Sequence, residues 1–306
     1  VTYFLMGDEV LFSFTVREAF NLSNIPWYLL LGILSGFISV YFTKMTLFLE
    51  NRYERIRNSF VRLAAGGIIL GGLIFLFPPL FGEGYDTVML LLQGDIDMVM
   101  RNSIFQDFSG TFLIIALFMF CLILLKVFAS SSTNGAGGVG GIFAPVLFLG
   151  GVTGYLMAGI FNQYFSVTRP DNRFVLAGMA GMMAGVMHAP LTAIFLIAEI
   201  TGGYDLLIPL IITSTAAYIT TRGFERHSIY HVQLARKGEL ITHDKDKAVL
   251  AMMDWKKDKE TELLTVKASD TLGDLVKKIS RSKRNLFPVV DDFNVLEGVV
   301  SLDDIR

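Results

Sequence analysis

Charged residues are scarce in this sequence, and their scarcity limits the class of protein it can encode. Asp, Glu, Lys and Arg make up 18% of the 306 residues, whereas soluble domains carry about a quarter. Apolar residues make up 53%, and the mean hydropathy is +0.54. This composition is typical of a chain that lies in a lipid bilayer, and it predicts a multi-pass integral membrane protein.

Cysteine and histidine are also rare. The single cysteine, Cys121, lies in an apolar run, which excludes a disulfide framework and a cysteine-based metal site. The four histidines form no HExxH pair, and no GxSxG nucleophile motif occurs. The formal net charge is −2, and no basic patch with interleaved aromatic residues is present. We therefore expect neither an enzyme nor a nucleic-acid-binding protein, and no resident cofactor.

The sequence contains several long apolar runs instead. The run 25–50 has about the 20 residues that cross a bilayer, with Trp27 and Tyr28 where an interfacial aromatic belt would lie. Four arginines follow in 51–62, so this loop is predicted to face the cytoplasm and residues 1–24 the other side. Further apolar runs occupy 62–81, 110–130, 146–161, 174–190, 191–200 and 206–220.

Several of these runs are short or interrupted by glycine or proline. A helix that stops inside a bilayer exposes backbone polar groups, which is tolerated only where they are packed in protein or line a hydrated cavity. Small residues at spacings of three and four, as in 174–190, favour close contact between helices. The sequence therefore predicts an all-α bundle of tilted, partly broken helices over residues 1–238.

The last part of the chain, 239–306, is charged and differs from the rest. The segment LGDLVKKI (272–279) has a helical period, while LFPVVDD (286–292) and LEGVVSL (296–302) are typical of short strands joined by a turn. We predict a small, incomplete α/β domain here. The basic residues that precede it place it on the cytoplasmic side.

The glycine-rich stretch GGIFAP (140–145) lies between apolar runs, where flexible backbone is unexpected. Helix N-termini carry about half a positive charge and unpaired N–H groups, and they bind anions without a cationic side chain. Pro145 suits the first turn of a helix, since its missing N–H is not needed there. The stretch is thus consistent with a helix start directed at an anion within the membrane. Helix packing is the alternative, because glycines in membrane helices commonly mark close contacts.

The motif GAGGVGGIFAP (135–145) resembles the GxFxP signature of the CLC chloride channel and transporter family. PPLFGEGYD (78–86) is similar to a loop in the second half of that family, and 174–213 is similar to its next three helices. SIYHVQLAR (228–236) resembles its last membrane helix. LFPVVDDFNVLEGVVSLDDIR (286–306) resembles the first CBS motif of the cytoplasmic region that many CLC proteins carry.

The resemblance implies which residues bind the transported anion. Backbone amides at the GxFxP motif correspond to Gly141, Ile142, Phe143 and Ala144, and a tyrosine hydroxyl corresponds to Tyr230. A phenol suits this role because it donates a hydrogen bond while staying neutral at pH 7. An interfacial belt tyrosine is the alternative interpretation of Tyr230.

The resemblance also implies the architecture of the protein. CLC membrane domains consist of two inverted halves, and this chain is similar to the second half, so we expect it to be a fragment that cannot form a complete pore alone. The family's central chloride-binding serine belongs to the first half, as do the glutamates that decide between a chloride channel and an H⁺/Cl⁻ exchanger. A homodimer with one pore per subunit is expected, with chloride and, in an exchanger, protons as substrates. Fluoride or nitrate selectivity stays open, as does adenine nucleotide binding by a complete CBS pair.

A divalent-cation transporter with CBS domains is the main alternative function. It would need carboxylates in the membrane facing a pore, and Glu199 is the main candidate. Since Glu199 lies near the end of its apolar run, we expect a structural role for it. Lys126 also lies near the end of a long run, and we expect its side chain to reach the membrane interface.

Overall fold

The computed structural model describes residues 22–106, 110–165, 171–201, 204–236, 263–282 and 284–305. The chain divides into two compact units, Val1–Gly238 and Glu239–Arg306. The predicted domain boundary and the first part of the predicted cytoplasmic domain lie outside the described residues, as does nearly all of the segment 1–24.

The first unit is an assembly of α-helices, which confirms the predicted all-α bundle. In chain order they are α1 (Ile25–Glu54), α2 (Ser59–Leu76), α3 (Tyr85–Gln93), α4 (Ile96–Met100), α5 (Phe112–Gly135), α6 (Phe143–Phe165), α7 (Asp171–Met187), α8 (Pro190–Ile200), α9 (Leu207–Phe224) and α10 (Ile229–Arg236). A 3-10 turn, Pro78–Leu80, lies between α2 and α3. Four stretches of the described residues are long and apolar enough to cross a membrane: Leu22–Glu54, α2, α5 and α6.

Helix α1 extends further than its apolar run, because it continues through the first arginine, Arg52, to Glu54. Arginine and glutamate are good helix formers, so the loss of apolar character does not itself end the helix. The next helix then begins after Asn58, whose side-chain oxygen accepts hydrogen bonds from the Phe60 and Val61 N–H groups at 2.9 and 3.4 Å. The connection between the first two spans is therefore only four residues long.

Helix α7 is the centre of the membrane unit, and its apolar side chains from Phe174 to Val186 are buried. It packs against α6, α9 and α1. The α6–α7 contact depends on glycine: a Cβ atom at Gly154 would overlap the carbonyl of Phe174, and one at Gly178 would overlap the carbonyl of Gly150. The predicted role of small residues in close helix contact is confirmed at these positions.

The prediction of broken helices is confirmed where α7 gives way to α8. His188 has a φ of +57°, a left-handed conformation that cannot continue an α-helix. Ala189 and Pro190 then start α8, which is only 11 residues long. The ring of His188 meets the ring of Tyr218 edge to face, with centroids 5.9 Å apart.

The second unit contains a three-stranded sheet of order β1-β2-β3, with β1 (Val266–Lys267), β2 (Leu286–Val290) and β3 (Leu296–Ser301). β1 pairs with β2 in parallel through α11 (Leu272–Arg281), and β2 pairs with β3 in an antiparallel hairpin. The helix and both hairpin strands lie where the sequence predicts them. Asp291 shapes the hairpin turn, because its carboxylate accepts hydrogen bonds from the Phe293 and Val295 N–H groups, both at 2.8 Å.

Candidate anion site

Helix α6 begins inside the predicted window. The carbonyl of Ile142 accepts a hydrogen bond from the Val146 N–H at 3.2 Å, so Ile142 is the N-cap and Phe143 the first helical residue. The N–H groups of Phe143 and Ala144 lie in the first turn, where a helix offers them no carbonyl partner, and Pro145 has no N–H. Since the Ile142 side chain is apolar, it cannot cap this helix start as a serine or aspartate would.

Glycine is required in the loop before α6 because this loop folds back on the end of α5. A Cβ atom at Gly138 would lie 2.8 Å from the carbonyl oxygen of Thr133, and one at Gly140 would lie 2.6 Å from the side-chain oxygen of Asn134. Helix α5 itself continues to Gly135, the first residue of the motif GAGGVGGIFAP, so the loop before α6 covers only residues 136–142. The close fold-back is what brings the α6 start beside the last turns of α5.

A cavity of about 450 Å³ lies at this helix start. It is lined by residues of α2, of the turn Pro78–Tyr85, of the last turns of α5, and of the loop that leads into α6. Of the predicted anion-binding residues, Gly141, Phe143 and Ala144 line it. Ile142 does not; its side chain is 7% exposed and packs in the core. The structure thus places the predicted helix start at a cavity, and the anion-binding role of these residues stays a prediction.

Tyr230 starts a different helix. It is the second residue of α10, is 46% exposed, and is not among the residues that line the cavity. Its neighbours anchor the helix: Ile229 is fully buried, and the Ser228 hydroxyl lies 2.7 Å from the His231 Nδ1. The described geometry therefore does not bring Tyr230 to the cavity at the α6 start, and its anion-binding role stays a prediction.

Lys126 is a cavity residue that the sequence analysis placed elsewhere. It was expected to reach the membrane interface, but only 1% of the residue is exposed, so this prediction is wrong. Its ammonium donates hydrogen bonds to the carbonyl oxygens of Leu80 and Gly82 at 3.3 and 3.0 Å. It also lies 4.4 Å from the centre of the Phe148 ring in the second turn of α6. These partners satisfy the ammonium group inside the protein, so the side chain does not have to extend to the membrane interface.

Polar residues at the end of α5 also line the cavity and were not singled out from the sequence. They are Ser130, Thr133 and Asn134. The hydroxyls of Ser130 and Thr133 donate to carbonyls of their own helix, those of Val127 and Ala129, at 3.2 and 2.9 Å. The polar run SSSTN at the end of an otherwise apolar helix was the available signal, since such residues within a membrane segment favour a polar or hydrated surface.

The divalent-cation alternative finds little support in the described residues. They contain no group of three or more His, Cys, Asp or Glu side chains that could hold a metal ion. Glu199 is exposed near the end of α8 and is not one of the residues that line the cavity.

The curated proteins that this chain resembles include an exchange transporter and a chloride channel. The chain is 29% identical over 236 residues to the H(+)/Cl(-) exchange transporter ClcA of Vibrio cholerae, which covers 75% of this chain and 47% of that protein. It is 33% identical over 180 residues to the voltage-gated ClC-type chloride channel ClcB of Escherichia coli, which covers 57% of this chain and 38% of the relative. The chain thus spans about half the length of the curated relatives it matches.

Comparison with solved structures supports the predicted fold class. A slow cyanobacterial Cl⁻/H⁺ antiporter aligns with a TM-score of 0.58 and 27% identity over 76% of this chain and 52% of that chain. A CLC-type fluoride/proton antiporter aligns with a TM-score of 0.55 at 18% identity, which is a likeness of fold. The CLC-type helical bundle predicted from the sequence is therefore confirmed, and with it the integral membrane location.

Family models match both parts of the sequence. A CBS domain model matches residues 259–306, where the sequence resembles a CBS motif. The model described as voltage gated chloride channel matches residues 1–222. Since that match covers well over half of the 306 residues, the chain belongs to the voltage gated chloride channel family, the CLC proteins.

Proposed function

We propose that this chain forms part of the chloride pathway of a CLC transporter and that the anion binds at the start of α6. One observation carries the proposal: a helix start whose N-cap side chain, that of Ile142, is apolar borders a cavity of about 450 Å³ within an apolar membrane unit. The N–H groups of Phe143 and Ala144 are the donors, and the Ile142 side chain cannot compete with an anion for them.

Backbone donors suit an ion that must leave as readily as it arrives. A helix N-terminus presents about half a unit charge, and a conduction site must bind weakly enough for release. Glycine at positions 140 and 141 leaves the approach to these donors free of side chains. The packing alternative accounts for Gly154 and Gly178, where a Cβ atom would overlap backbone of a neighbouring helix, but not for Gly141, where it would meet only the Phe143 nitrogen at 3.9 Å.

Tyr230 is proposed as the second contributor, through its phenol hydroxyl. This role rests on the resemblance of SIYHVQLAR to the last membrane helix of the family. The position of Tyr230 in the first turn of α10 gives it the same local setting as Phe143, since both lie where a helix begins. Tyr230→Phe removes one hydrogen bond to a charged partner, so chloride affinity falls by an amount equivalent to about 1.5–3 kcal/mol.

The Tyr230 role is tested by calorimetric chloride titration of the intact protein. Tyr164→Phe is the matched control, because Tyr164 is 70% exposed at the far end of α6. A Tyr230→Phe variant with the chloride affinity of the wild type would remove Tyr230 from the site. It would leave the α6 start untouched.

Proton exchange is the coupling that we propose for the intact protein. The relative ClcA is named as an exchange transporter and the cyanobacterial neighbour as an antiporter, whereas ClcB is named as a channel. We propose further that the protein works as a homodimer in a lipid bilayer, with the CBS segment in the cytoplasm and no enzymatic activity. Adenine nucleotide binding by a complete CBS pair stays a prediction.

The decisive experiment uses the intact polypeptide that carries this chain, reconstituted in chloride-loaded liposomes. A chloride electrode follows efflux while a second electrode records external pH. Chloride efflux with proton movement in the opposite direction is the expected result. Efflux without proton movement would make the protein a channel, and flux of a divalent cation without anion flux would overturn the proposal.

A further inference from the structure

Lys126 is a buried cation within the membrane unit. It is 1% exposed, and its ammonium is held by two backbone carbonyls and the face of one aromatic ring. Carbonyls and rings satisfy hydrogen-bonding needs, but they carry no net negative charge. The positive charge of Lys126 is thus held inside the protein by dipoles alone.

Among the described residues, no carboxylate lies within 4.0 Å of the Lys126 ammonium to neutralise this charge. Glu83 also lines the cavity, but it lies in an exposed turn. An unneutralised charge in an apolar region is costly, and ionisable residues inside membranes are therefore commonly functional.

The position of Lys126 connects this charge with the α6 start. Lys126 lines the same cavity as Gly141, Phe143 and Ala144. Its ring partner, Phe148, belongs to the second turn of α6, so the ammonium is fixed relative to the helix whose N-terminus borders the cavity. Its carbonyl partners, Leu80 and Gly82, lie in the turn that forms another wall. A full positive charge and a helix N-terminus therefore act on one cavity.

We infer that Lys126 is a positioning residue for the anion: its fixed charge draws the anion into the cavity, and its carbonyl contacts hold the wall beside the α6 start. The inference rests on the proposed function. The ammonium does not serve as the ligand itself, because carbonyls already occupy two of its donors. Its charge sets the electrostatic potential of the cavity, while the weaker backbone donors bind the anion. The anion is therefore attracted without being bound too tightly to leave.

The test separates the effect of the charge at position 126 from the effect of the side chain's shape. Lys126→Met keeps the length and apolar stem but removes the charge, and Lys126→Arg keeps the charge. In the liposome assay, Lys126→Met is expected to raise the chloride concentration for half-maximal flux about tenfold, equivalent to about 1.4 kcal/mol. Lys126→Arg is expected to stay within about threefold of the wild type. Lys44→Met is the control, because the Lys44 side chain is 61% exposed and pairs with Glu225 at 3.2 Å.

Thermal unfolding in detergent accompanies each flux measurement, so that loss of folded protein is separated from loss of affinity. Should Lys126→Met not fold, Lys126→Gln replaces it, since its amide can still donate to the two carbonyls while carrying no charge. A folded neutral variant with wild-type half-saturation would overturn the inference, as would an arginine variant that loses as much affinity as the neutral one. Absence of anion flux in the wild type would overturn the proposed function instead, and this inference with it.

Discussion

Helices α6 and α11 begin in opposite ways. The start of α11 is closed by its own side chains: Thr271 and Asp274 form a capping box, and the Thr271 hydroxyl lies 2.6 Å from the Asp274 carboxylate. That hydrogen bond lowers the pKa of Asp274, so the carboxylate is ionised and the cap complete at neutral pH. The start of α6 has Ile142 as its N-cap and neither charge nor hydroxyl in its first turn.

The difference follows from where each helix lies. A helix start exposed to water gains stability from a cap, since the cap replaces water at N–H groups that need a partner. A helix start at a cavity in an apolar unit could be capped in the same way, but the cap would occupy the donors that an anion needs. The apolar N-cap of α6 therefore supports the proposed anion site, because the Ile142 side chain does not occupy these donors.

The largest effect is expected from breaking the support behind the α6 start. Gly178→Leu forces a side chain against the carbonyl of Gly150, which is backbone and cannot move aside. Overpacking of this kind costs about 3 kcal/mol or more. We expect little folded, monodisperse protein by size-exclusion chromatography in detergent. Gly72→Ala is the control, because a Cβ atom there meets nothing within 4 Å. If the Gly178→Leu variant is folded and stable, helices α6 and α7 pack less closely than they do in the structure.

A smaller effect is expected from displacing the loop that leads into α6. Gly140→Ala places a Cβ atom 2.6 Å from the Asn134 side-chain oxygen. The Asn134 side chain, which lines the cavity, or the loop must then shift, so chloride affinity measured by calorimetry is expected to fall about tenfold, equivalent to about 1.4 kcal/mol. Asn134→Ala in the same protein removes the obstructing atom and should restore most of the affinity. If the double variant binds chloride as weakly as Gly140→Ala alone, the loss of affinity comes from the new methyl group itself and not from displacement of the loop.

Ile142→Thr would give α6 a side-chain cap. Threonine is a favoured N-cap, and its hydroxyl would accept a hydrogen bond from the Ala144 N–H, one of the two donors proposed to hold the anion, since Pro145 has no N–H to offer. Ile142→Val is the matched variant, since valine and threonine have nearly the same shape and both shorten the buried side chain. We expect the threonine variant to bind chloride about fivefold more weakly than the valine variant. Equal affinities would mean that the open helix start is not the ligand.

The smallest effect is expected from opening the cap of α11. Thr271→Ala removes the hydroxyl that accepts from the Asp274 N–H, at a cost of about 1 kcal/mol. Hydrogen exchange of the first turn of α11 in the intact protein should become about fivefold faster. Ser280→Ala is the control, since the exposed Ser280 hydroxyl bonds only the Lys277 carbonyl near the other end of the helix. Chloride flux is expected to stay unchanged in both variants.

Most of the helical pattern follows from composition. Three features are local in the sequence: the apolar runs, the arginines around the end of α1, and the change to charged residues near 239. Each corresponds to an element of the structure or to a family match. The start of α6 could also be predicted, since glycines followed by a proline in the first turn require a particular local backbone. Lys126 could not, because a lysine near the end of a span has the same sequence signature whether it reaches the interface or turns inward.

The sequence alone determined that this is a membrane-embedded helical bundle followed by a small α/β segment, because hydropathy and period are properties of consecutive residues. It also placed a helix start within the glycine-rich stretch. Only the tertiary structure decided what surrounds that start: the fold-back of the loop on Asn134, the cavity, and the ammonium held by Leu80 and Gly82. The cavity and the ammonium contacts depend on segments more than 40 residues apart in the chain, as in the pairing of Lys126 with Gly82. Local pattern carries no information about which distant segments meet, since packing selects them.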